Sequence, residues 1–383
     1  MTALVWILRL TMALTLLGWG ATWLKVLTRK RDPKWALGPE DPACSPDLLV
    51  SIVIPARNEE AHIAGCVQAA LAQDHPNLEV VVLNDGSSDR TGEILAAIDD
   101  PRLRVLQGGE ALPDGWFGKP WALQRAQEHA RGDWLFFIDA DVRLAPQAVS
   151  RVVGYGESKG LGMVTGFGTL TMESFWERVL QPAVGGLILL GNSLDQVNDP
   201  EQPDKNMASG QLLAFSRRGY DQAGQHHAVK NNILDDVGLA RACVDAQVGY
   251  HCLFMRRLYS VRMYTSLQEI WDGWGKNLFA GMHYSWATVA FVEYFLFTST
   301  LLGPILLAVG LATGAWEWVA WGGAHLVLMQ GTRLSMDLQY GHKPLYGLSH
   351  APATAMVMAL IVHSGIKSQG KGVQWKGRTY NPE

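Results

Sequence analysis

The length, composition and charge of this sequence exclude several classes of protein. Its 383 residues exceed the roughly 250–300 residues of a single core, so a second structural part is expected. Hydrophobic residues make up 48% and charged residues only 18%, and the 15 tryptophans are many for a wholly soluble protein. The net charge of -4 and the lack of a Lys/Arg block argue against nucleic-acid binding. The four cysteines lack zinc-ligand spacing, so we expect reduced structural thiols.

The chain begins with an apolar segment that is long enough to cross a membrane. It runs from about residue 2 to 24 with Arg9 as its one charged residue, and a bilayer needs about 20 apolar residues. A secretory signal peptide is the alternative, but no small-residue cleavage site precedes the basic cluster that follows. We therefore predict an uncleaved anchor over residues 1–28. The basic cluster consists of Lys25, Arg29, Lys30, Arg31 and Lys34.

By the positive-inside rule, this cluster places the next domain in the cytoplasm at the cell (inner or plasma) membrane. Between about residues 48 and 240, short apolar runs alternate with segments of helical spacing, which predicts an α/β domain over 45–260. The predicted strands are 49–54, 78–83, 102–106 and 134–138, and the predicted helices are 59–73, 91–98, 121–130 and 237–244. This alternation predicts a parallel sheet with a ligand crevice at the carboxyl ends of its strands.

Polar side chains follow three of the predicted strands. Arg57 and Glu59 follow the first strand, Asp85 follows the second, and Asp139 and Asp141 follow the fourth. Two carboxylates one residue apart offer the oxygen ligands that Mg²⁺ or Mn²⁺ prefers beside substrate phosphates. Solvated turns and helix caps are the alternatives for each motif taken singly. Because the sequence has neither G-x-G-x-x-G nor G-x-x-x-x-G-K-[ST], we predict that phosphate is held through a metal.

The last third of the chain is again apolar. Three stretches, at about 287–312, 316–330 and 345–366, predict a membrane bundle over 287–366, with buried core helices as the alternative. Amphipathic interfacial helices are predicted at 261–286, and a basic tail at 367–383. Three full crossings would leave that tail outside, although its lysines favour the cytoplasm. We therefore expect one segment to be re-entrant or interfacial.

Six motifs in a fixed order resemble those of a known family. They are SIVIPARNEE at 51–60, NDGSSD at 84–89, GKPWAL at 118–123, DAD at 139–141, DDVGLA at 235–240 and VQWKGRTY at 373–380. The sequence resembles the inverting family 2 glycosyltransferases with the GT-A fold. Within that family it is most similar to membrane-anchored enzymes that glycosylate lipids, of the hopanoid-associated and carotenoid (diaponeurosporenoate) types, and more distantly to ceramide glucosyltransferase. The resemblance implies an α/β GT-A domain flanked by N-terminal and C-terminal transmembrane helices.

The resemblance also implies roles for the motif residues. Contacts to the sugar nucleotide are implied for Pro55, Ala56, Arg57, Glu59, Asp85, Lys119, Asp139 and Ala140. Asp141 is the expected ligand of Mn²⁺ or Mg²⁺. Asp139 is expected to assist by contacting either the ribose or the metal. A solvated surface lysine is the alternative for Lys119.

An inverting transfer needs a base that takes the proton of the acceptor hydroxyl. The family supplies it from a Glu-Asp pair, which here corresponds to Asp235-Asp236. We assign the base to Asp236, and Asp235 departs from the usual Glu. The alternative is that these carboxylates only stabilise the N-terminus of the next helix.

One family motif is missing. The segment 268–277 lacks the Arg-Trp pair of the processive members, which argues against polymerisation. Trp271, Trp274 and Lys276 lie on a predicted amphipathic helix and are our candidates for acceptor contacts, with a soluble core helix as the alternative.

These inferences predict a membrane enzyme that transfers glucose from UDP-glucose to a lipid. Its expected partners are a UDP-sugar donor, the bilayer and a lipid acceptor such as a carotenoid, a hopanoid or a ceramide-like molecule, and no nucleic acid. One alternative is a polyprenyl-phosphate glycosyltransferase. The other is a catalytically idle membrane scaffold or lipid carrier.

Overall fold

The computed structural model describes residues 2–28, 34–190 and 193–368 and the short segments 373–375 and 378–380. The chain divides into two compact units. Unit 1 comprises Met1–Asp32, Met172–Leu190 and Tyr264–Lys371, and unit 2 comprises Pro33–Thr171, Gly191–Met263 and Gly372–Glu383. Five basic residues of the N-terminal cluster and the C-terminal tail lie outside the described residues: Arg29, Lys30, Arg31, Lys371 and Lys376.

The helices and strands are as follows. The α-helices are α1 (Thr2–Thr28), α2 (Ile63–Leu71), α3 (Thr91–Ala96), α4 (Gly118–Gln127), α5 (Ala148–Lys159), α6 (Phe175–Leu190), α7 (Leu194–Val197), α8 (Arg217–Gln222), α9 (Asp235–Asp245), α10 (Leu267–Gly281), α11 (Trp286–Leu296), α12 (Leu302–Thr313), α13 (Trp316–Gln339) and α14 (His350–Ser368). The strands are β1 (Val50–Ala56), β2 (Leu78–Asn84), β3 (Leu103–Gln107), β4 (Trp134–Ile138), β5 (Val142–Leu144), β6 (Met163–Phe167), β7 (Thr169–Leu170), β8 (Leu212–Ser216), β9 (Tyr250–Phe254), β10 (Tyr259–Val261), β11 (Val373–Trp375) and β12 (Arg378–Tyr380). Short 3₁₀ helices occupy His226–Val229 and Pro344–Ser349, and a π-helical turn occupies Phe297–Leu301.

Unit 2 is built on a seven-stranded sheet in the order β3-β2-β1-β4-β8-β6-β9. Its central strands β2 and β4 are buried along their whole length, as expected of strands covered on both faces. The predicted parallel arrangement holds for β3, β2, β1 and β4. It is wrong for β8, which runs antiparallel to both β4 and β6, so the sheet is mixed. Hydrophobic period alone does not record strand direction, which depends on how the chain returns to the sheet.

The parallel strands bring their carboxyl ends to one edge of the sheet. β1 and β2 pair in register from Val50 with Leu78 to Ala56 with Asn84, so the residues that follow them emerge side by side. A second sheet has the order β5-β10-β7, and three residues separate its strand β5 from β4. The turn between β4 and β5 holds the Asp-x-Asp pair.

Several predicted helix limits differ from the structure. The helix predicted over 59–73 is α2, which begins at Ile63, because Asn58 adopts a left-handed φ of 54° and residues 59–62 form a turn. The helix predicted over 121–130 is α4, which begins at Gly118 and therefore includes Lys119.

Unit 1 is a helical bundle. Three of its segments are long and apolar enough to cross a membrane: Ala3–Thr28, Trp286–Thr313 and Pro344–Ser368. The second segment combines α11, the π-helical turn and α12 in one continuous helix, so Pro304 does not break it. Pro352 likewise lies in the first turn of α14, where a missing N–H is tolerated.

Helix α13 extends beyond the predicted limit of residue 330 to Gln339. It continues because the two charged residues of its last turns neutralise each other: Arg333 Nε lies 2.9 Å from Asp337 Oδ2, one helical turn away. Both side chains are buried.

The helix directions within unit 1 follow from side-chain pairs. Three pairs join α1 to α13 in the same order along both helices: Arg9 with Glu317, Trp23 with Ser335 and Val26 with Gln339. These two helices are therefore parallel. The α11–α12 helix runs the opposite way, because only Gly314 and Ala315 separate it from α13.

Helix α14 runs in the same direction as α1 and α13. At its start, His350 contacts the ring of Trp19, whose indole N–H donates to the Ser299 carbonyl in the π-helical turn. At its end, Gly365 packs against Trp286 at the beginning of α11. The C-terminal ends of α1, α13 and α14 therefore lie at one end of unit 1.

The segment between α13 and α14 must return along the bundle. Its carbonyl at Leu348 accepts a hydrogen bond of 3.5 Å from Gln330, and Gly347 packs against Asp337. Residues 340–349 thus run back beside the last turns of α13.

The structure also differs from the predicted division of the chain. Helix α6 falls within the predicted domain 45–260, yet it belongs to unit 1. Its Val179, Leu180 and Val184 are buried in apolar clusters with residues of α10 and α14. A local apolar pattern cannot show which of two cores it joins.

Candidate active site

The residues that follow β1 and β2 form one wall of the crevice in unit 2. Arg57 Nη1 donates to the carbonyl oxygen of Asp85 at 2.6 Å and lies 3.7 Å from its carboxylate Oδ2. Asp85 is buried, and its N–H donates to the carbonyl of Ala56. The neighbouring Pro55 and Ala56 are the last two residues of β1, at the same edge. The structure therefore brings the predicted donor residues of these two strands together.

The loop after β2 meets the segment after β3 at two glycines, Gly86 and Gly109. Gly86 has a left-handed φ of 62°, and a Cβ there would lie 2.9 Å from the Cα of Gly109. This close approach leaves a small cleft beside Asp85. The cleft is lined by Leu83, Asp85, Gly108, Gly109, Glu110, Trp121, Ala122 and Arg125.

The Asp-x-Asp pair lies in the turn between β4 and β5. Ala140 is buried in the core, and the carboxylates of Asp139 and Asp141 lie on either side of it in sequence. Asp139 forms an ion pair with Lys119, whereas Oδ1 of Asp141 is buried and has no hydrogen-bond partner. Burial, followed by the charges of Asp139 and Glu59, raises the pKa of Asp141 to about 7.

These surroundings fit a divalent cation at Asp141. A buried carboxylate oxygen without a donor, whose pKa is raised by burial and by neighbouring carboxylates, is stabilised by a positive charge. Among the described residues no group of three or more His, Cys, Asp or Glu side chains forms a ready-made metal cage. That agrees with a cation of the Mg²⁺ type, which commonly takes one or two carboxylates and completes its shell with phosphate and water.

Lys119 lies at the centre of the carboxylates. Its Nζ is 2.7 Å from Asp139 Oδ1 and 3.9 Å from Asp235 Oδ2, so it is not a solvated surface lysine. Burial lowers the pKa of Lys119, but the charges of Asp139, Asp235 and Asp236 outweigh burial and hold that pKa above its ordinary value. The ammonium therefore stays charged.

Asp235 and Asp236 begin α9 but have different surroundings. Asp236 Oδ2 accepts a hydrogen bond of 2.7 Å from the backbone N–H of Gly210, and its Oδ1 accepts from Val237 N–H at 2.9 Å. Burial, followed by the charge of Asp235, raises the pKa of Asp236 to about 6. Asp235 is buried, and its nearest described cation is Lys119. The pair is thus more than a helix N-terminus.

Two features of the crevice have no local signal in the sequence. The N–H of Gly210 fixes Asp236, and only pairing in the fold brings it there, since it lies 26 residues earlier. The cleft residue Trp121 belongs to the GKPWAL motif at 118–123. Its neighbours Glu110 and Arg125, which form an ion pair of 2.6 Å, match no motif in the sequence.

The predicted acceptor residues lie in unit 1, on α10. Trp274 Nε1 donates to Gln181 Oε1 of α6 at 2.9 Å, and Trp271 packs against His363 of α14. Lys276 lies on the same helix and is half-buried. Helix α10 therefore packs within the bundle and is amphipathic, with Ile270 fully buried.

Comparisons with known proteins agree with this geometry. The sequence model described as Glycosyl transferase family 2 matches residues 51–222. The 4,4'-diaponeurosporenoate glycosyltransferase of Staphylococcus aureus is 25% identical over 236 residues, which cover 61% of this chain and 61% of that protein. The match thus spans less than two thirds of that relative's length.

A solved structure shares the fold. The mannosyltransferase PcManGT from Pyrobaculum calidifontis, in complex with GDP-Man and Mn²⁺, is 18% identical with a TM-score of 0.51. The superposition covers 92% of this chain and 98% of that one. Residues 51–222 are therefore a family 2 glycosyltransferase domain with the GT-A fold, and the chain resembles the carotenoid-type glycosyltransferases.

Proposed function

We propose that this protein transfers a sugar from a nucleoside diphosphate sugar, with glucose from UDP-glucose as the expected donor, to a hydroxyl or carboxyl group of a membrane lipid. The observation that carries the proposal is the crevice at the carboxyl edge of the unit 2 sheet. There the Lys119 ammonium pairs with Asp139 and Asp235, and next to these two residues lie a buried, unpartnered oxygen of Asp141 and the fixed carboxylate of Asp236. A donor site, a cation site and a base are thus provided within a single unit.

The donor's nucleoside fits the wall formed by the ends of β1 and β2. The Arg57–Asp85 pair presents a charged edge that can hydrogen-bond a base or a ribose. We assign further donor contacts to Pro55, Ala56 and Glu59, which lie at or just after the end of β1, and to Asp139 and Ala140 in the turn after β4. A purine donor is the competing possibility, because the Pyrobaculum enzyme binds GDP-Man.

Asp141, with Asp139 beside it, would hold Mn²⁺ or Mg²⁺. The bound cation would supply charge neutralisation for the departing diphosphate. The residues of this chain provide the other contributions, which are donor orientation at Arg57 and Asp85 and proton removal at Asp236.

Asp236 is the base of the proposed reaction. Its pKa of about 6 leaves it largely ionised near neutral pH yet basic enough to accept a proton from an acceptor hydroxyl. The hydrogen bonds from Gly210 and Val237 fix the orientation of the carboxylate. Asp235 contributes a second negative charge, which strengthens the basicity of its neighbour.

A lipid acceptor is supported by the name of the Staphylococcus aureus relative and by the apolar bundle of unit 1. Helix α10, with Trp271, Trp274 and Lys276, is our candidate for the acceptor side, because Trp and Lys favour the headgroup zone of a bilayer. A carboxylate or phosphate acceptor is already ionised and needs little base catalysis, whereas a hydroxyl acceptor needs a base.

We further propose that α1, the α11–α12 helix and α13 cross the membrane and that α14 is re-entrant. Because α1, α13 and α14 are parallel, their C-terminal ends would emerge on one side, together with Lys25, Lys343 and Lys367. The strands β11 and β12 of the tail belong to unit 2, which supports a tail on the side of the catalytic unit. The positive-inside rule makes that side the cytoplasm.

The function is tested with full-length protein in detergent, UDP-glucose or GDP-mannose, Mn²⁺, and a total lipid extract of the producing cells. Mass spectrometry of the products identifies the sugar and the lipid together. Hexose attached to a lipid hydroxyl or carboxyl supports the proposal. A product attached to a lipid phosphate would contradict it in favour of a polyprenyl-phosphate enzyme, and no transfer from either donor would favour the idle scaffold.

The variant Asp236→Asn separates the acceptor types. With a hydroxyl acceptor, we expect kcat to fall by about 10²–10⁴-fold while UDP binding is unchanged, because a general base contributes that much. With a carboxyl acceptor, kcat should change far less. An Asp245→Asn variant, at the exposed end of α9, is the matched control.

A further inference from the structure

Lys119 occupies an unusual place for a cation. It lies in the first turn of α4, where the N-terminal end of a helix disfavours positive charge. Its side chain is instead stabilised by Asp139 at 2.7 Å and by Asp235 at 3.9 Å. Lys119 therefore joins the turn after β4 to the first residue of α9.

The same ammonium also lies near Gly210, the residue whose N–H holds Asp236. Lys119 Nζ is 3.5 Å from the carbonyl oxygen of Gly210, and the N–H of Gly210 donates to Asp236 Oδ2 at 2.7 Å. A side chain at Gly210 would press on both groups, since a Cβ there would lie 3.2 Å from Lys119 Nζ and 3.2 Å from Asp236 Oδ2. Lys119, Gly210 and Asp236 are thus in one packed group.

We infer that Lys119 is a positioning residue for the carboxylate at Asp236, rather than a ligand of the donor's phosphates. This inference rests on the proposed function. The ammonium already makes its shortest ion pair with Asp139, and it also lies near Asp235 and the Gly210 carbonyl. Without the ammonium, Asp139, Asp235 and Asp236 form an uncompensated group of like charges, and their repulsion displaces Asp236 from the reacting centre.

The two roles predict different results for Lys119→Met, which retains the length of the side chain without its charge. For a positioning residue, kcat falls by about 10²-fold, as displacement of a catalytic group typically does, and the Kd for UDP with Mn²⁺ is unchanged. For a phosphate ligand, that Kd rises at least about tenfold, because a charged hydrogen bond to the phosphate is lost. Titration calorimetry measures the Kd, and UDP release from UDP-glucose with the lipid extract measures kcat.

A second substitution tests the electrostatic cause. Adding Asp235→Asn to Lys119→Met removes one of the uncompensated charges, so the double variant should recover part of the lost kcat, by about tenfold or more. Lys159→Met, at the exposed end of α5, is the matched control and should change neither quantity. Should Lys119→Met not fold, Lys119→Arg retains the charge and should show a lower kcat with an unchanged Kd.

The outcomes are distinguishable from those of the proposed function. Failure of the unaltered protein to transfer any sugar would refute the function itself. An active protein whose Lys119→Met variant loses UDP affinity in proportion to its activity, or shows no rescue by Asp235→Asn, would refute the positioning role alone.

Discussion

Asp235 and Asp236 illustrate how neighbouring residues of one type acquire different properties. Both carboxylates begin α9, but backbone N–H groups hold Asp236 while Lys119 lies closer to Asp235. Burial and the adjacent charge raise the pKa of Asp236 from 3.8 to about 6. Two carboxylates whose environments differ in this way are a common basis for acid–base chemistry.

The raised pKa predicts how activity depends on pH. A base acts in its ionised form, so protonation of Asp236 should lower kcat/KM by about tenfold per pH unit below about pH 6. The profile is measured as kcat/KM from about pH 4.5 to about pH 8 with saturating Mn²⁺. In Asp236→Asn this limb should vanish. A profile that keeps its acid limb in the variant would contradict the assignment.

Asp141 is expected to determine metal-dependent binding. In Asp141→Asn, the Kd for UDP with Mn²⁺ should rise by about 10–100-fold or more. Loss of a residue that only hydrogen-bonds a metal ligand already lowers metal affinity by that factor. Calorimetry with UDP, with and without Mn²⁺, measures the effect. Asp99→Asn, exposed after α3, serves as the control. Equal UDP affinity with and without metal in the unaltered protein would exclude this role.

At the scale of elements, the approach of α12 to α13 depends on small residues. A Cβ at Gly322 would lie 2.5 Å from the carbonyl oxygen of Gly303 and 2.6 Å from the backbone nitrogen of Leu307. Close backbone approach through glycine is typical of helix pairs in membranes. A Cβ at the adjacent Gly323 would have no neighbouring atom within 4 Å.

These two glycines provide a matched test of helix packing. Gly322→Ala should destabilise the protein by about 1–3 kcal/mol, because the backbone must move to admit the methyl group. Gly323→Ala should have no destabilising effect, since its methyl group meets open space. Thermal unfolding of both variants in the same detergent compares them. Equal melting temperatures would contradict the close packing of α12 on α13.

The strand β4 and the helix α9 show how far local pattern predicts an element. The predicted strand 134–138 has the limits of β4, because its five residues are apolar and are buried on both faces. Helix α9 begins at Asp235, two residues before the predicted start, because the carboxylates themselves form its first turn. The direction of β8 could not be predicted, since an antiparallel strand in the middle of a sheet has the same apolar run as a parallel one.

At the scale of the whole molecule, the parallel directions of α1, α13 and α14 predict the side on which each connection lies. Thr313 stands at the end of α12, opposite the C-terminal ends of those three helices. In a Cys44→Ser background, a cysteine at Thr313 should react with a membrane-impermeant maleimide on intact cells. A cysteine added after Glu383 should react only after the cells are opened.

The background is suitable for this labelling, because Cys66, Cys243 and Cys252 are buried. Labelling of the added C-terminal cysteine on intact cells would show that α14 crosses the membrane fully. Labelling at neither position on intact cells would contradict the crossing of the α11–α12 helix.

The sequence by itself determined which residues we expect to carry the chemistry of this protein. We could name four candidates from the sequence because strand ends, turn residues and adjacent carboxylates are local patterns that can be recognised without the fold. They are Asp85, Asp139, Asp141 and Asp236. The apolar segments could also be recognised from the sequence, since the length and hydropathy of a membrane-spanning segment are properties of a continuous stretch.

Only the tertiary structure decided what those residues touch. The ion pair of Lys119 with Asp139 joins residues 20 positions apart in sequence, and the hydrogen bond of Gly210 to Asp236 spans 26. The direction of α14 likewise followed from its contacts with Trp19 and Trp286 and not from its composition. Contacts between distant segments depend on how strands and helices pack, and a local pattern contains no record of that packing.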